Sequence, residues 1–168
     1  MSFLKSVSRS SALVAVLASI SGASLALAAP PSNALAYLSI SPGFTRDPVA
    51  REISILDDGG VMAIATKLRT GEVTQTRLGT LEAGTLLALK KTVASIPADG
   101  KLMDSNEGGP ICSDAPEYSY QVRPMKMLVE VARSAQCHEF MMNVGQIYGV
   151  KAILDGFNSL SQLETISN

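Results

Sequence analysis

The sequence predicts an α+β domain in which an antiparallel sheet of about four to five strands carries two helices on one face. Three observations predict it. Short runs of β-branched and aromatic residues are separated by turn signals, the hydrophobic period changes twice to that of a helix, and the order is strands, helix, strands, helix.

Ile53-Ser54-Ile55 alternates and runs into Asp57-Asp58-Gly59-Gly60, a strong turn signal. Val61 to Arg69 reads as the returning strand, Thr70-Gly71-Glu72 as a turn and Val73 to Leu78 as a third strand. Leu86, Leu89, Val93 and Ile96 then form one stripe of an amphipathic helix, with Thr80 as a candidate N-cap and Pro97 as its stop. Residues 98–116 read as a long polar loop. Tyr118, Tyr120 and Val122 alternate, Arg123-Pro124-Met125-Lys126 reads as a hairpin connection, and Met127, Val129 and Val131 alternate on the returning strand. After Cys137 a second helix is expected, its stripe carried by Val144, Ile147, Val150 or Lys151, Leu154 and Phe157, with Leu160 and Leu163 near its end. Gly145, Gly149 and Gly156 weaken that helix, so either they permit close packing on the sheet or the helix starts late.

Three regions are expected. Residues 1–29 read as a signal peptide: Lys5 and Arg9 precede an apolar stretch from Ala12 to Ala29, and Ala26-Leu27-Ala28 supplies the small residues of a cleavage site near Ala28 or Ala29. The competing reading, a membrane-spanning helix, is disfavoured by Ser19, Ser21, Gly22 and Ser24. Residues 30–51, with Pro30, Pro31, Pro42, Gly43 and Pro48, read as an extended segment leading onto a domain over 52–168, although Leu35, Tyr37, Leu38 and Ile40 could dock on it. No other segment is long and apolar enough to span a bilayer, so the expected location is secreted or periplasmic.

Removing Lys5 and Arg9 from 14 basic residues, against 15 acidic ones, leaves a net charge of about −3. That balance lacks the basic surplus of a nucleic-acid binder. Cys112 and Cys137 are the only cysteines, and in an exported chain they read first as a disulfide, with a reactive thiol or a metal site as the alternative.

Catalytic chemistry is poorly supported, and no enzyme, metal or cofactor is expected. His138 is the only histidine, no serine sits in a Gly-x-Ser-x-Gly turn, and the ligands for zinc are lacking. Asp104, Asn106 and Gly108 resemble the start of a calcium loop, but Ala115 stands where glutamate is needed. Asp57-Asp58 is better read as a turn former than as a proton-sharing pair. Met125, Met127, Met141 and Met142 fit core packing better than a soft-metal surface. Recognition of another protein is the class that remains.

The run from Ile53-Ser54-Ile55 to Gly59-Gly60, the returning strand, and Leu81 with the helix of Leu86, Leu89 and Val93 resemble emfourin, a small proteinaceous inhibitor of thermolysin-like metalloproteases. The Tyr118–Tyr120–Val122 strand, its Met127–Val131 partner and the C-terminal helix continue the similarity, over residues 52–163. The chain departs from that pattern in its export signal, its cysteine pair and a longer loop around Cys112-Ser113-Asp114-Ala115-Pro116. The resemblance implies a protein that occludes a protease cleft, with Asp57, Asp58, Gly59, Gly60, Val61 and Met62 as the binding turn. The alternative is a non-inhibitory interaction domain of the periplasm, the secreted space or the envelope.

Overall fold

The computed structural model describes residues 29–105 and 107–166, with side chains described as far as Gln162. The signal-peptide segment before Ala29, Asn106 of the calcium-like pattern and the Leu163 side chain lie outside the described residues. The strands are β1 (Ala34–Ser41), β2 (Val49–Leu56), β3 (Gly60–Lys67), β4 (Val73–Thr80), β5 (Leu102–Asp104), β6 (Glu117–Val122), β7 (Val129–Ala135) and β8 (His138–Met142). The helices are α1 (Ala83–Ser95) and α2 (Ile147–Ile166). All eight strands join one antiparallel sheet in the order β4-β3-β2-β1-β6-β7-β8-β5.

The architecture is α+β as expected, but the sheet has eight strands rather than four to five. The three additional strands share a physical origin: none shows period-2 alternation over a useful length. β1 reads Ala-Leu-Ala-Tyr-Leu-Ser-Ile-Ser, and Ala36, Tyr37, Leu38 and Ile40 are all buried. Leu35 and Tyr37, on the face opposite Ala34, Ala36 and Leu38, are apolar as well, so alternation is confined to Leu38-Ser39-Ile40-Ser41. Residues 30–51 therefore do not lead onto a domain that opens at Glu52. They contain a central strand, in which Leu38 pairs with Ile53 on one side and Tyr120 on the other.

β5 is only three residues long, within the stretch read as loop. β8 follows a two-residue turn at Gln136 and Cys137, both with positive φ (53° and 68°). That is the φ signature of a type I′ hairpin turn, normally written Asn-Gly, so neither residue announces it.

One face of the sheet carries the core. Leu38, Ile53, Ile55, Val61, Val122 and Val131 meet Leu89 and Val93 of α1, Ile96 at its C-cap, and Ile147, Val150 and Leu154 of α2. The α1 stripe is the one the sequence predicts. Its start is not: Thr80 still pairs with Gly60 in the ladder, and Glu82 occupies the N-cap without a side-chain hydrogen bond. α2 begins late, after β8. Gly149 and Gly156 have nothing within 4 Å of an added Cβ, so close packing is not why they are there. Met142 is buried, whereas Met125 and Met127 are exposed on the β6–β7 connection, where Met125 and Lys126 adopt positive φ. Core packing is thus not the role of those two methionines.

Leu38 is fully buried and central, so Leu38→Ala should destabilise the fold by about 2–5 kcal/mol in urea denaturation. Gly156→Ala should stabilise it by up to about 1 kcal/mol, because the new methyl meets open space within a helix.

Candidate functional site

The antiparallel strands deliver their connections to two ends of the sheet. One end holds the β2–β3 turn that the sequence reading selected. Asp57 and Asp58 are exposed there, and Asp58 Oδ1 accepts a 2.8 Å hydrogen bond from the Gly60 amide. Gly59 has φ 88° and lies against Leu86 Cδ2, 3.1 Å from an added Cβ, while its carbonyl accepts from the Leu81 amide at 2.9 Å. Gly59 and Gly60 are buried, Val61 belongs to the core, and half-buried Met62 faces across the ladder to Ser54. Of the six residues from Asp57 to Met62, the two aspartates are exposed, Met62 is half-buried and the other three are buried.

The other end is built from the β1–β2 loop, the segment before β6 and the β7–β8 turn. Cys112 and Cys137 form a disulfide across a Cα–Cα distance of 5.4 Å, and the Cys112 amide donates to the Gln136 carbonyl at 3.1 Å. A paired cysteine set of this kind suits an oxidising, extracellular environment. Gly43 packs so closely on the same segment that an added Cβ would collide with the Asp114 carbonyl. Pro48 is held from the other side, its carbonyl accepting from the Leu68 amide at 2.9 Å. On this clamped backbone Phe44 is 93% exposed, and Ile111 beside Cys112 is 75% exposed. Sequence reasoning passed over both. The available signal was a lone aromatic between Pro42-Gly43 and Pro48, in a chain with four phenylalanines.

His138 lies next to the disulfide but not in a nucleophilic arrangement. Its Nδ1 is 2.9 Å from Asp104 Oδ2, its ring stacks on Phe140, and its buried Nε2 has no hydrogen-bond partner among the described residues. Asp104 is thereby engaged with a side chain of the fold. Among the described residues no group of three or more His, Cys, Asp or Glu could hold a metal ion.

A second polar cluster fastens α2 to the sheet. The Tyr120 hydroxyl donates to Asp155 Oδ1 at 2.6 Å, Lys151 donates to Asp155 Oδ2 at 3.1 Å, and Lys151 Nζ lies 5.0 Å from the Tyr120 ring centroid. Burial, reinforced by the hydrogen bond to Asp155, raises the Tyr120 phenol well above the usual tyrosine range. Tyr37 is raised in the same way by burial and by Glu52, which accepts its hydrogen bond. A groove of about 290 Å³ opens between β2, β3, β4 and Ser161 of α2; it is lined by Ile53, Ala63 and Leu78, with Arg51 and Lys67 as its charged residues. It holds no acid–base pair.

No family model matches this chain, no curated protein matches it, and no solved structure matches it. Among the described residues no helix is long and apolar enough to cross a membrane.

Replacing both cysteines by serine should cost roughly 3.5 kcal/mol, as for a disulfide closing a loop of this length, read as a lower denaturation midpoint. The two raised phenols give a second expectation. Each favours the protonated form in the folded state, so its contribution is complete below the ordinary tyrosine value of about 10 and is lost as pH rises beyond it. Alkaline titration followed at 295 nm should show two tyrosines ionising only as the protein unfolds, and Tyr120→Phe should remove one of them.

Proposed function

We propose that this chain is an exported protein-binding domain that inhibits a secreted metalloprotease, presenting the disulfide-anchored end of its sheet to the enzyme. One observation carries the reading: Phe44 is 93% exposed on a loop whose backbone is clamped by the Gly43–Asp114 contact and by Pro48, beside the segment fastened by Cys112–Cys137. An exposed aromatic on a rigid backbone is the usual form of an interface anchor, because it brings large apolar area with little conformational entropy left to lose. The emfourin resemblance supplies the class of partner. The signal-peptide pattern and the disulfide support export.

The Asp57–Asp58 turn lies at the far end of the sheet, about 26 Å away for an eight-residue strand. A small protease cleft would not engage both ends, so the two presentations are separable by experiment. The oxidised protein should inhibit a thermolysin-like metalloprotease at one-to-one stoichiometry. Phe44→Ala should weaken that inhibition by about 30-fold or more, as loss of an anchor does, while Asp58→Ala leaves it unchanged. The reverse pattern would move the binding surface to the β2–β3 turn. Failure of the folded, oxidised protein to inhibit metallo-, serine or cysteine proteases would sink the inhibitor reading and leave a non-inhibitory interaction domain.

A further inference from the structure

The sheet ends in two edges of unlike character. β5 is three residues long and carries Asp104, tied to His138, so little of its backbone can template another strand. β4 at the opposite edge is eight residues long and reads Val-Thr-Gln-Thr-Arg-Leu-Gly-Thr. It contains no proline, no lysine and no acidic residue, and among the described residues no other element bonds to its outer side. Its only blunting features are the charge of Arg77 and the irregularity just beyond it, so Val73–Arg77 is left as a regular edge on which a further strand can pair.

We propose that β4 is a homodimer seam, pairing antiparallel with β4 of a second copy about a two-fold axis through Gln75. The occupant is argued from the strand itself. Its regular part is Val73–Arg77, since the ladder to β3 shifts between Met62 opposite Arg77 and Val61 opposite Gly79. Centring the pair on Gln75 uses only that regular part and keeps facing side chains on one face of the sheet. Val73, 62% exposed, then lies opposite Arg77, whose aliphatic stem covers it. Thr74 faces Thr76, and Gln75 faces Gln75.

β4 has a single charge, Arg77, so no like charges oppose one another, whereas most strands rich in lysine or carboxylates would repel themselves in this register. One symmetric contact satisfies both copies and leaves no free edge of this kind. A single strand seam is smaller than a standard interface of about 1,600 Å². The dimer is accordingly weak and concentration-dependent.

Sedimentation of the oxidised protein from micromolar to millimolar concentration should show reversible dimerisation. Val73→Lys sets a lysine opposite Arg77 of the other copy twice and should weaken the dimer at least tenfold. Adding Arg77→Glu to that variant converts both pairs to opposite charges and should restore it. Both positions are exposed, and they lie about 13 Å apart within one strand, so the rescue reports on contact between copies rather than on folding. A protein that stays monomeric throughout, or a dimer indifferent to Val73→Lys, overturns the proposal. A monomer whose β4 amides become protected only on adding a protease would instead assign the edge to a different protein.

Discussion

β1 is hydrogen-bonded along both of its edges, to β2 from Ala34–Leu56 through Ile40–Arg51 and to β6 from Ala36–Val122 through Ser41–Glu117. The remaining elements depend on this strand. Without it the β2–β3–β4 meander and the β6–β7–β8 meander share no ladder, and neither half has a complete apolar face. Ala36, Leu38 and Ile40 supply the middle of that face, and both helices contact β1. Arg123 reinforces the seam, donating through Nε to the Ala34 carbonyl at 3.1 Å and through Nη2 to the Pro31 carbonyl at 3.2 Å. Its backbone amide also donates to Leu35. The pairing joins residues far apart in the chain, so its loop-closure entropy must be offset by burial that only the assembled core provides.

The seam also decides what the ends of the sheet can do. Because every strand pair is antiparallel, connections alternate between two ends, and each end collects segments distant in sequence. At the Gly59 end the backbone of the β2–β3 turn packs on Leu81 and Leu86, while the β6–β7 connection leaves Met125 and Met127 exposed. At the disulfide end they are tied to one another instead. The loop carrying Phe44 rests on the loop carrying Asp114, and the latter is bonded covalently and through backbone to the β7–β8 turn. Rigidity there does not come from the core, which leaves the side chains at that end free to face solvent.

Polar interactions add to the hydrophobic stripe in positioning α2. Ile147, Val150 and Leu154 bury against the sheet, but a greasy contact alone tolerates sliding. The Tyr120–Asp155–Lys151 cluster favours one rotational setting of the helix, since the buried Tyr120 hydroxyl finds its acceptor there. The same logic accounts for His138, which with Asp104 fastens β5 to β8.

Local chemistry settled much of this protein from sequence. The helical stripe of α1, the turn at Asp57-Asp58-Gly59-Gly60, the β6 alternation through Tyr120 and Val122, and the pairing of Cys112 with Cys137 were all legible, because each rests on spacing within a few residues or on redox chemistry. β1, β5 and β8 were not. The first half of β1 is apolar on both faces and hides its alternation, a three-residue edge has too little sequence to read, and a type I′ turn without glycine or asparagine has no signature. The candidate site was less legible still. Val61 and the two glycines look available in a turn motif, yet Gly59 is covered by Leu86 of α1, Gly60 sits among Leu56, Asp58 and Arg77, and Val61 belongs to the core. Phe44 looks like an unremarkable loop residue until Asp114 and the disulfide arrive beside it from seventy residues away. Sequence determined which segments prefer strand, helix or turn, since those preferences are local. Tertiary structure decided which turn is buried and which is presented, because exposure depends on what the rest of the chain brings alongside.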